Sequence, residues 1–406
     1  MKMLKWFLFA LVSLIFTSCQ QSEKSDQPYL IVFSLDGFRW DYQDHFNTPV
    51  LDSITENGVK AKAMIPSFPT LTFPNHYSIA TGLYPGQHGI VHNSFYDRQL
   101  NKKYSLGNRE AVQDSVFYRG NPIWNHLQEH NIKTATCFWV GSEAPVNGRY
   151  ANYWKIYDHK LSFKNRLDTV LHWMQLPEEN RPHFIMAYFS EPDHSGHDDG
   201  PLAENTKNQV ESLDSLLAYF MEELNMMEYG KEVNVIITSD HGMAEVDSTQ
   251  NIILNDFVPD TLIEHYNGGS TCLFLDPVNG LVDSVADLLS RIPNITYYRR
   301  ENLPSHWHFT DTTRIDDLIV VADNGYVFEK KGASPKNGGA HGYDNTSDDM
   351  HTIFYAIGPV FKKKYLQPEF QNVDVFPLIE EIFDHPTRAQ SEGNLQNVIN
   401  MLNENH

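Results

Sequence analysis

Aspartate and histidine side chains lie directly after the apolar runs of this sequence, where a buried strand would end. They are Asp36 after the first run, Asp193 and His197 after a later one, Asp240 and His241 after a third, and His341 in a glycine-rich segment downstream. Imidazole and carboxylate ligands together favour zinc or another first-row ion, whereas calcium and magnesium take oxygen ligands. The six side chains would supply three ligands to each ion of a two-ion site.

The chain has 19 histidines, so most of them must serve other purposes. A solitary histidine in a loop is usually a surface residue, and a strand-end aspartate alone is usually a turn or capping residue. We expect His76, His88, His92 and His194 to lie outside the metal site. The joint pattern at the three strand ends is what makes the metal interpretation specific.

A hydroxyl nucleophile is present in the segment PSFPTLTFPNHY, residues 66–77. Thr72 precedes Phe-Pro-Asn and a helix-like stretch, so it could simply be an N-cap with a proline just inside the helix. A hydroxyl there would also sit in the positive field of the helix N-terminus, which favours a developing alkoxide and a bound phosphate. Thr70 is the competing candidate, and spacing alone leaves both open.

Apolar strand-like runs alternate with amphipathic stretches along the chain. Continuous apolar strands separated by helices predict a parallel sheet buried on both faces, with ligands beyond the carboxyl ends of the strands. The expected strands are 29–35, 134–140, 183–189 and 233–238, and the expected helices are 122–130, 165–175 and 207–226.

The alternation of apolar runs and amphipathic stretches becomes irregular after residue 246. We interpret 246–338 as an inserted small α+β subdomain. A helix at 282–291 and a strand at 317–321 would belong to it. The main sheet would resume at 351–358, and a helix at 375–383 would close the chain. The predicted fold class is therefore α/β, a three-layer sandwich with a mostly parallel central sheet between helices.

The N-terminus has the pattern of an export signal. Lys2 and Lys5 precede an apolar run at 7–16 that is too short to span a bilayer, and small residues follow just before Cys19. The pattern resembles a bacterial lipobox. It predicts a signal peptide at 1–18, a lipidated tether at 19–28 and a catalytic domain at 29–406. We therefore expect an exported lipoprotein, held in a bacterial membrane only through Cys19 and facing the periplasm or cell surface.

The charge balance constrains the partners. The chain has 31 Lys+Arg against 52 Asp+Glu, a formal charge of −21. Proteins that hold long nucleic acids need basic patches to neutralise phosphates. We therefore expect small substrates and no long nucleic acid, while metal ions could supply local positive charge for a small anion. Besides Cys19 the chain has only Cys137 and Cys272, too few for a disulfide scaffold.

Seven motifs, in order from about residue 30 to the C-terminus, resemble the nucleotide pyrophosphatase/phosphodiesterase family of the alkaline phosphatase superfamily. Each motif is weak alone, but the set is specific. They are LDGFR at 35–39, TFPN at 72–75, TGLYP at 81–85, HGI at 88–90, EPD with GH at 191–197, SDHGM at 239–243 and HGYDN at 341–345.

The resemblance implies an alkaline-phosphatase-like fold, two zinc ions and small nucleotide substrates. One ion would be held by Asp193, His197 and His341, and the other by Asp36, Asp240, His241 and the Thr72 hydroxyl. The resemblance makes Thr72 the nucleophile and places Asn93 against a phosphoryl oxygen. It also places the nucleobase between Phe73 and Tyr157.

The implied reaction is zinc-dependent hydrolysis of phosphodiester or pyrophosphate bonds through a covalent Thr72 intermediate, releasing a nucleoside 5′-monophosphate. The alternatives on the same scaffold are a choline-type phosphodiesterase, a monoester phosphatase and a phosphonate hydrolase. The absence of arginine between Arg39 and Arg98 weakens the monoesterase interpretation. A non-catalytic ligand-binding lipoprotein is the alternative from a different class.

Overall fold

The computed structural model describes residues 27–386 and 391–404. The predicted signal peptide and Cys19 lie outside the described residues. The main sheet contains eight strands, which are β1 (Tyr29–Leu35), β2 (Val59–Ala61), β3 (Thr134–Cys137), β4 (Tyr153–Lys155), β5 (Phe184–Phe189), β6 (Val233–Thr238), β7 (Phe354–Ile357) and β8 (Tyr365–Gln367).

The main sheet is mostly parallel, as predicted. Its strand order is β8-β2-β7-β6-β1-β5-β3-β4. All neighbouring strands are parallel except that β7 runs antiparallel to β2 and β6. The strands β6, β1 and β5 are adjacent and parallel, so their carboxyl ends lie side by side at one edge of the sheet.

Helices cover both faces of this sheet. The described part of the chain has eight helices of seven or more residues, which are α1 (Pro49–Asn57), α2 (Thr72–Thr81), α3 (Ile123–Glu129), α4 (Phe163–Met174), α5 (Asp193–Asp199), α6 (Glu204–Asn225), α7 (Val282–Leu289) and α8 (Val375–Ile382).

The central strand β1 contributes to two cores. Leu30 and Val32 pack into the core with α2, α3 and α8, while Ile31 and Phe33 pack into the core with α1, α4 and α6. Successive side chains of a strand point to opposite faces, so a strand that is apolar throughout requires cover on both sides. The predicted α/β three-layer arrangement is confirmed.

A second sheet follows β6 in the chain. It is four-stranded and antiparallel, in the order Ile263–Gly268, Cys272–Pro277, Leu318–Ala322 and Ile295–Arg299. Helix α7 packs against this sheet through a separate apolar core. The remaining strands of the described residues form four two-stranded sheets. These pair Met64–Ile65 with Phe370–Gln371, Ser94–Asp97 with Lys102–Ser105, Ala244–Val246 with Gly338–Ala340, and Asn251–Ile252 with Val327–Phe328.

Two predicted boundaries are wrong for identifiable reasons. The strand expected at 134–140 ends at Cys137, because Phe138 adopts a left-handed φ of 66° that turns the chain out of the sheet. The helix expected to close the chain is followed by a segment whose Val398, Met401 and Leu402 are buried in the main core. Cys137 and Cys272 are both buried free thiols.

Within the described ranges, no helix is both long enough and apolar enough to cross a membrane.

Candidate active site

Three adjacent strands deliver the aspartates of the site. Asp36 follows β1 and Asp240 follows β6 after one residue, while Asp193 begins helix α5 shortly after β5. The Asp36 backbone amide donates to Phe189 O at 2.9 Å, and the Asp193 amide donates to Asp36 O at 2.9 Å. These backbone hydrogen bonds fix the spacing of the Asp36 and Asp193 carboxylates before any side-chain contact is made.

Gly37 allows this close approach. Its φ is 70°, in the left-handed region, and a Cβ at this position would lie 2.8 Å from both Cα and Cβ of Asp193. Its amide also donates to Asp240 Oδ1 at 3.2 Å. A residue with any side chain would push the Asp36 turn and the start of α5 apart.

Thr72 lies inside the site, and its environment differs from that of Thr70. The Thr72 Oγ1 is 3.2 Å from His241 Nε2. Thr70 is fully buried, donates to Tyr343 O and accepts from the Gly342 amide, each at 3.0 Å. Those two hydrogen bonds occupy the Thr70 hydroxyl. The geometry therefore favours Thr72 as the residue whose hydroxyl is available as a nucleophile.

The N-cap interpretation of Thr72 is wrong. Leu71 is the N-cap residue of α2, and Thr72 is the first helical residue, with no side-chain capping hydrogen bond at this end. The Thr72 hydroxyl is therefore available to the site, while it stays at the positive end of the helix.

Four side-chain pairs have the separations expected of ligands around shared ions. The Nε2 of His241 is 3.3 Å from Asp36 Oδ1 and 3.2 Å from Asp240 Oδ2. Asp193 Oδ1 is 3.4 Å from Nε2 of both His197 and His341. Ligands that bind one zinc ion at about 2 Å are separated by roughly this distance in a tetrahedral arrangement.

Among the described residues there are two groups of three ligand atoms, and within each group the atoms lie within 4.8 Å of one another. One group is Asp36, Asp240 and His241, and the other is Asp193, His241 and His341. The resemblance placed His197 with Asp193 and His341. His197 contacts Asp193 but belongs to neither of these two groups. His241 and His341 stack with ring centroids 3.5 Å apart, so the two groups form one continuous cluster.

The hydrogen bonding of the histidines fits metal ligation. The Nδ1 atoms of His197, His241 and His341 lie 3.0, 2.9 and 2.9 Å from the carbonyl oxygens of Gly339, Gly242 and Thr70. Each Nδ1–H can therefore donate to backbone, which leaves the Nε2 lone pair facing the carboxylates. Within the described residues, one buried oxygen of each aspartate accepts no hydrogen bond, namely Asp36 Oδ1, Asp193 Oδ1 and Asp240 Oδ2. The donor set fits a cation.

The electrostatics of the aspartates point the same way. Burial, reinforced by Asp240 and Asp193, raises the pKa of Asp36 well above its ordinary value. Burial also raises the pKa of Asp193 to about 6. Burial opposes the ionisation of Asp240, but His241 and His76 outweigh it and lower the pKa of that carboxyl. A bound cation would stabilise all three as carboxylates.

A cavity of about 350 Å³ opens beside Thr72. Its lining includes Asp36, Asp193, His197 and His341 at one end and the aromatic rings of Phe73 and Tyr157. Asn93 also lines it, and Asn93 Oδ1 accepts from the Phe73 amide at 3.0 Å. The predicted substrate-binding residues are thus brought into one cavity with the metal-type ligands.

Sequence reasoning missed several residues that this cavity uses. Tyr188, in β5, donates its hydroxyl to Asp36 Oδ2 at 2.6 Å. Arg109 forms an ion pair with Glu143, and both line the cavity. Tyr188 lies within a strand that ends at the site, and this placement was the only sequence signal for it. Arg109 and Glu143 lie 34 residues apart and carry no local motif.

The four histidines expected to lie outside the metal site belong to neither group of ligand atoms. His194 is exposed, whereas His76, His88 and His92 are buried. The Nδ1 of His76 is 2.9 Å from Thr72 O and 3.2 Å from Asp240 Oδ2. The spacing of four residues from Thr72 along α2 was the signal that could have identified His76.

The fold and the site define a class of molecule, an α/β protein that sets a threonine hydroxyl among metal-type ligands at the carboxyl edge of a parallel sheet. Residues 30–344 match the family model of type I phosphodiesterase/nucleotide pyrophosphatase. The chain belongs to this family, within the alkaline phosphatase superfamily.

Curated relatives agree over most of the chain. Ectonucleotide pyrophosphatase/phosphodiesterase family member 3 of Rattus norvegicus is 33% identical over 385 residues, which is 92% of this chain and 44% of the relative. Family member 5 of Homo sapiens is 31% identical over 402 residues, 97% of this chain and 83% of the relative. The chain thus spans less than half of the rat relative.

A solved structure has the same fold. The murine family member 5, in an inactive threonine-to-alanine form in complex with AMP, superposes with a TM-score of 0.88 at 32% identity. The match covers 93% of this chain and all of that one.

Proposed function

We propose that this protein hydrolyses nucleotide phosphodiester and pyrophosphate bonds and releases a nucleoside 5′-monophosphate. The observation that carries the proposal is the Thr72 hydroxyl, 3.2 Å from His241 Nε2, among three buried aspartates and at the opening of an aromatic cavity. The names of the relatives support the same activity.

The reaction divides into two displacements at phosphorus. In the first, Thr72 Oγ1 forms a bond to phosphorus while the bond to the leaving oxygen breaks, which leaves a phosphodiester on the threonine. In the second, water attacks the same phosphorus and the bond to Thr72 breaks. Positioning and electrostatic stabilisation carry most of the rate enhancement in phosphoryl transfer.

Asn93 is proposed to donate to a non-bridging phosphoryl oxygen. Its Oδ1 accepts from the Phe73 amide, so the NH₂ group is the end that can face substrate. Because Phe73 directly follows Thr72, the same contact ties the Asn93 donor to the nucleophile. The side chains of Phe73 and Tyr157 would hold a nucleobase by stacking, which is worth about 1–3 kcal/mol per base.

The metals are proposed to be two zinc ions. Asp36, Asp240, His241 and Thr72 would hold one, and Asp193, His197 and His341 the other, with His241 close to both sets. Zinc, when bound, supplies positive charge that lowers the pKa of a hydroxyl or water and stabilises charge on phosphoryl oxygens. Tyr188 would keep one Asp36 oxygen turned toward His241 by holding the other.

Export and lipid anchoring through Cys19 remain a proposal that the sequence pattern of residues 1–19 supports. Metabolic labelling with a radioactive fatty acid in a bacterial host tests it. The full-length chain should incorporate label, and the Cys19→Ser variant should not. Equal labelling of both would contradict lipidation at Cys19.

The activity is tested on three chromogenic esters, p-nitrophenyl thymidine 5′-monophosphate, p-nitrophenyl phosphocholine and p-nitrophenyl phosphate. The nucleotide diester should be the best substrate, and a chelator should abolish turnover until zinc is added back. Thr72→Ala should reduce kcat by roughly 1,000-fold or more, since it removes the nucleophile. Thr169→Ala, which removes a hydroxyl of helix α4 that donates to Asn165 O, is the matched control.

Other outcomes would overturn parts of this proposal. A preference for phosphocholine would remove nucleotides as the substrate class while keeping the Thr72 chemistry. A preference for the monoester would contradict the phosphodiesterase activity. Full activity of Thr72→Ala would contradict the covalent intermediate.

A further inference from the structure

A lysine from the loop before His341 reaches the ligand cluster. Lys336 lies two residues before the short strand Gly338–Ala340, which delivers His341 to the site. The Nζ of Lys336 is 3.3 Å from Nδ1 of His197. Lys336 is half-buried, whereas Lys330 and Lys331 earlier in the same loop are exposed.

The backbone of Lys336 is held in place. Its amide donates to Asn251 Oδ1 at 2.9 Å, and Asn251 Nδ2 donates back to the Lys336 carbonyl at 3.4 Å. The side-chain amide of Asn251 thus hydrogen-bonds both the backbone N–H and the backbone carbonyl of Lys336. The start of the Lys336 side chain is therefore held near His197, because the loop cannot move the Lys336 backbone without breaking both bonds.

The ammonium of Lys336 lacks a permanent partner. The Nδ1 of His197 also lies 3.0 Å from Gly339 O, to which it must donate when its Nε2 serves as a ligand. A protonated Nδ1 cannot accept from an ammonium group. In the described part of the chain, no carboxylate lies within ion-pair distance of Lys336, although Asp193, Asp198 and Glu329 are near enough to act on its charge.

In-line displacement puts the leaving oxygen on the side of phosphorus opposite the nucleophile. The nucleophile Thr72 lies against His241, so the leaving oxygen must face away from that pair. Asp193, His197 and His341 form the other part of the cluster, and Lys336 adjoins His197 there. Lys336 itself does not line the cavity but adjoins His197, which does, and Arg109, the cation that lines the cavity, is already paired with Glu143. A leaving phosphate would thus meet one uncommitted ammonium.

We propose that Lys336 forms an anion subsite for the leaving phosphate of pyrophosphate-linked nucleotides, so that the site favours phosphorylated leaving groups. The inference rests on the proposed function, because it needs Thr72 as the nucleophile. Charge-assisted contacts to phosphate are among the stronger polar contacts in proteins. A substrate whose leaving group carries no phosphate gains nothing from this ammonium.

Two substrates with the same transferred group separate this role from general catalysis. Thymidine 5′-triphosphate and p-nitrophenyl thymidine 5′-monophosphate differ only in the leaving group, pyrophosphate against nitrophenolate. For the zinc-loaded Lys336→Met variant, we expect the loss of kcat/KM on the triphosphate to exceed the loss on the nitrophenyl ester by roughly tenfold to a hundredfold. The Lys330→Met variant, which removes an exposed lysine of the same loop, should leave both values unchanged.

A binding measurement without turnover gives an independent readout. In zinc-loaded Thr72→Ala protein, calorimetry compares the Kd of thymidine 5′-triphosphate with that of thymidine 5′-monophosphate. Adding Lys336→Met should weaken triphosphate binding roughly tenfold or more relative to the monophosphate. The zinc content of each variant, measured by atomic absorption, should equal that of its parent.

Equal losses on both substrates, or a fall in zinc content, would overturn the subsite and show that Lys336 supports His197 instead. Unchanged values on both substrates would also overturn it. These results are distinguishable from failure of the proposed function, in which the unmodified holoenzyme itself would turn over neither thymidine substrate.

Discussion

The three aspartates of the site share burial but differ in what surrounds them. Burial raises the pKa of Asp36, and the neighbouring carboxylates of Asp240 and Asp193 raise it further. Burial acts in the same direction on Asp240, but His241 and His76 outweigh it, so the pKa of Asp240 falls below the ordinary value. The Tyr188 hydroxyl donates a hydrogen bond to Asp36 Oδ2 at 2.6 Å. Burial and the Asp36 charge raise the pKa of Tyr188, so this hydroxyl stays protonated and donates.

Tyr188→Phe tests this contact. Removing the hydroxyl frees Asp36 Oδ2 in a buried site, so we expect zinc affinity or kcat to fall by roughly 10- to 100-fold, the usual effect of losing a partner of a metal ligand. Zinc titration and kcat on the nitrophenyl nucleotide ester measure it. Tyr219→Phe is the matched control, since it removes a tyrosine–aspartate hydrogen bond of 2.7 Å far from the site. Similar losses in both variants would contradict a specific role for Tyr188.

At the level of elements, the site depends on three parallel strands ending together and on the turns that follow them. The turn after β1 packs directly against the start of α5 at Gly37, which leaves no room for a side chain there. Helix α2 supplies Thr72 at its first position, and the ladder of Gly338–Ala340 with Ala244–Val246 returns the chain to deliver His341. Each element contributes one or two side chains, so their relative placement decides the chemistry.

Gly37→Ala should damage the site more than the fold. Its Cβ would meet Asp193 at 2.8 Å, and displacement of a catalytic group by about 1 Å costs on the order of 100-fold in rate. Activity and zinc content should fall together. Gly280→Ala is the control, because Gly280 also has a left-handed φ (84°) but would place its Cβ in open space. Loss of activity in both variants would indicate that backbone strain, and not the contact with Asp193, is responsible.

At the level of the whole molecule, the core contains neutral histidines that do not belong to the site. Burial lowers the pKa of both His88 and His92 to about 3, far below the ordinary value for histidine. The unfolded chain therefore binds more protons than the folded one at acidic pH. The contribution of these two histidines to the free energy of unfolding should be fully present above about pH 6.5. It should decline as the pH falls toward 3.

The variant His92→Gln tests the origin of this acid sensitivity. It removes one titrating group, so the decline in unfolding free energy between pH 6.5 and 4 should be shallower than in the unmodified protein, whatever the absolute stability. Denaturant unfolding at several pH values measures the slope. His194→Gln, at an exposed histidine, should leave the slope unchanged. An identical slope for His92→Gln would contradict the assignment.

The sequence by itself predicted the main strands, the long helices and the strand-end aspartates, because a strand buried on both faces is a continuous apolar run in the sequence. The resemblance of seven short motifs added the roles expected of Thr72, Asn93, Phe73 and Tyr157. Only the tertiary structure decided what depends on contacts distant in the chain. Examples are Tyr188 against Asp36, Lys336 against His197 and the ion pair of Arg109 with Glu143. No local periodicity records such pairs, since they form only when the three-layer fold brings separate loops to one edge of the sheet.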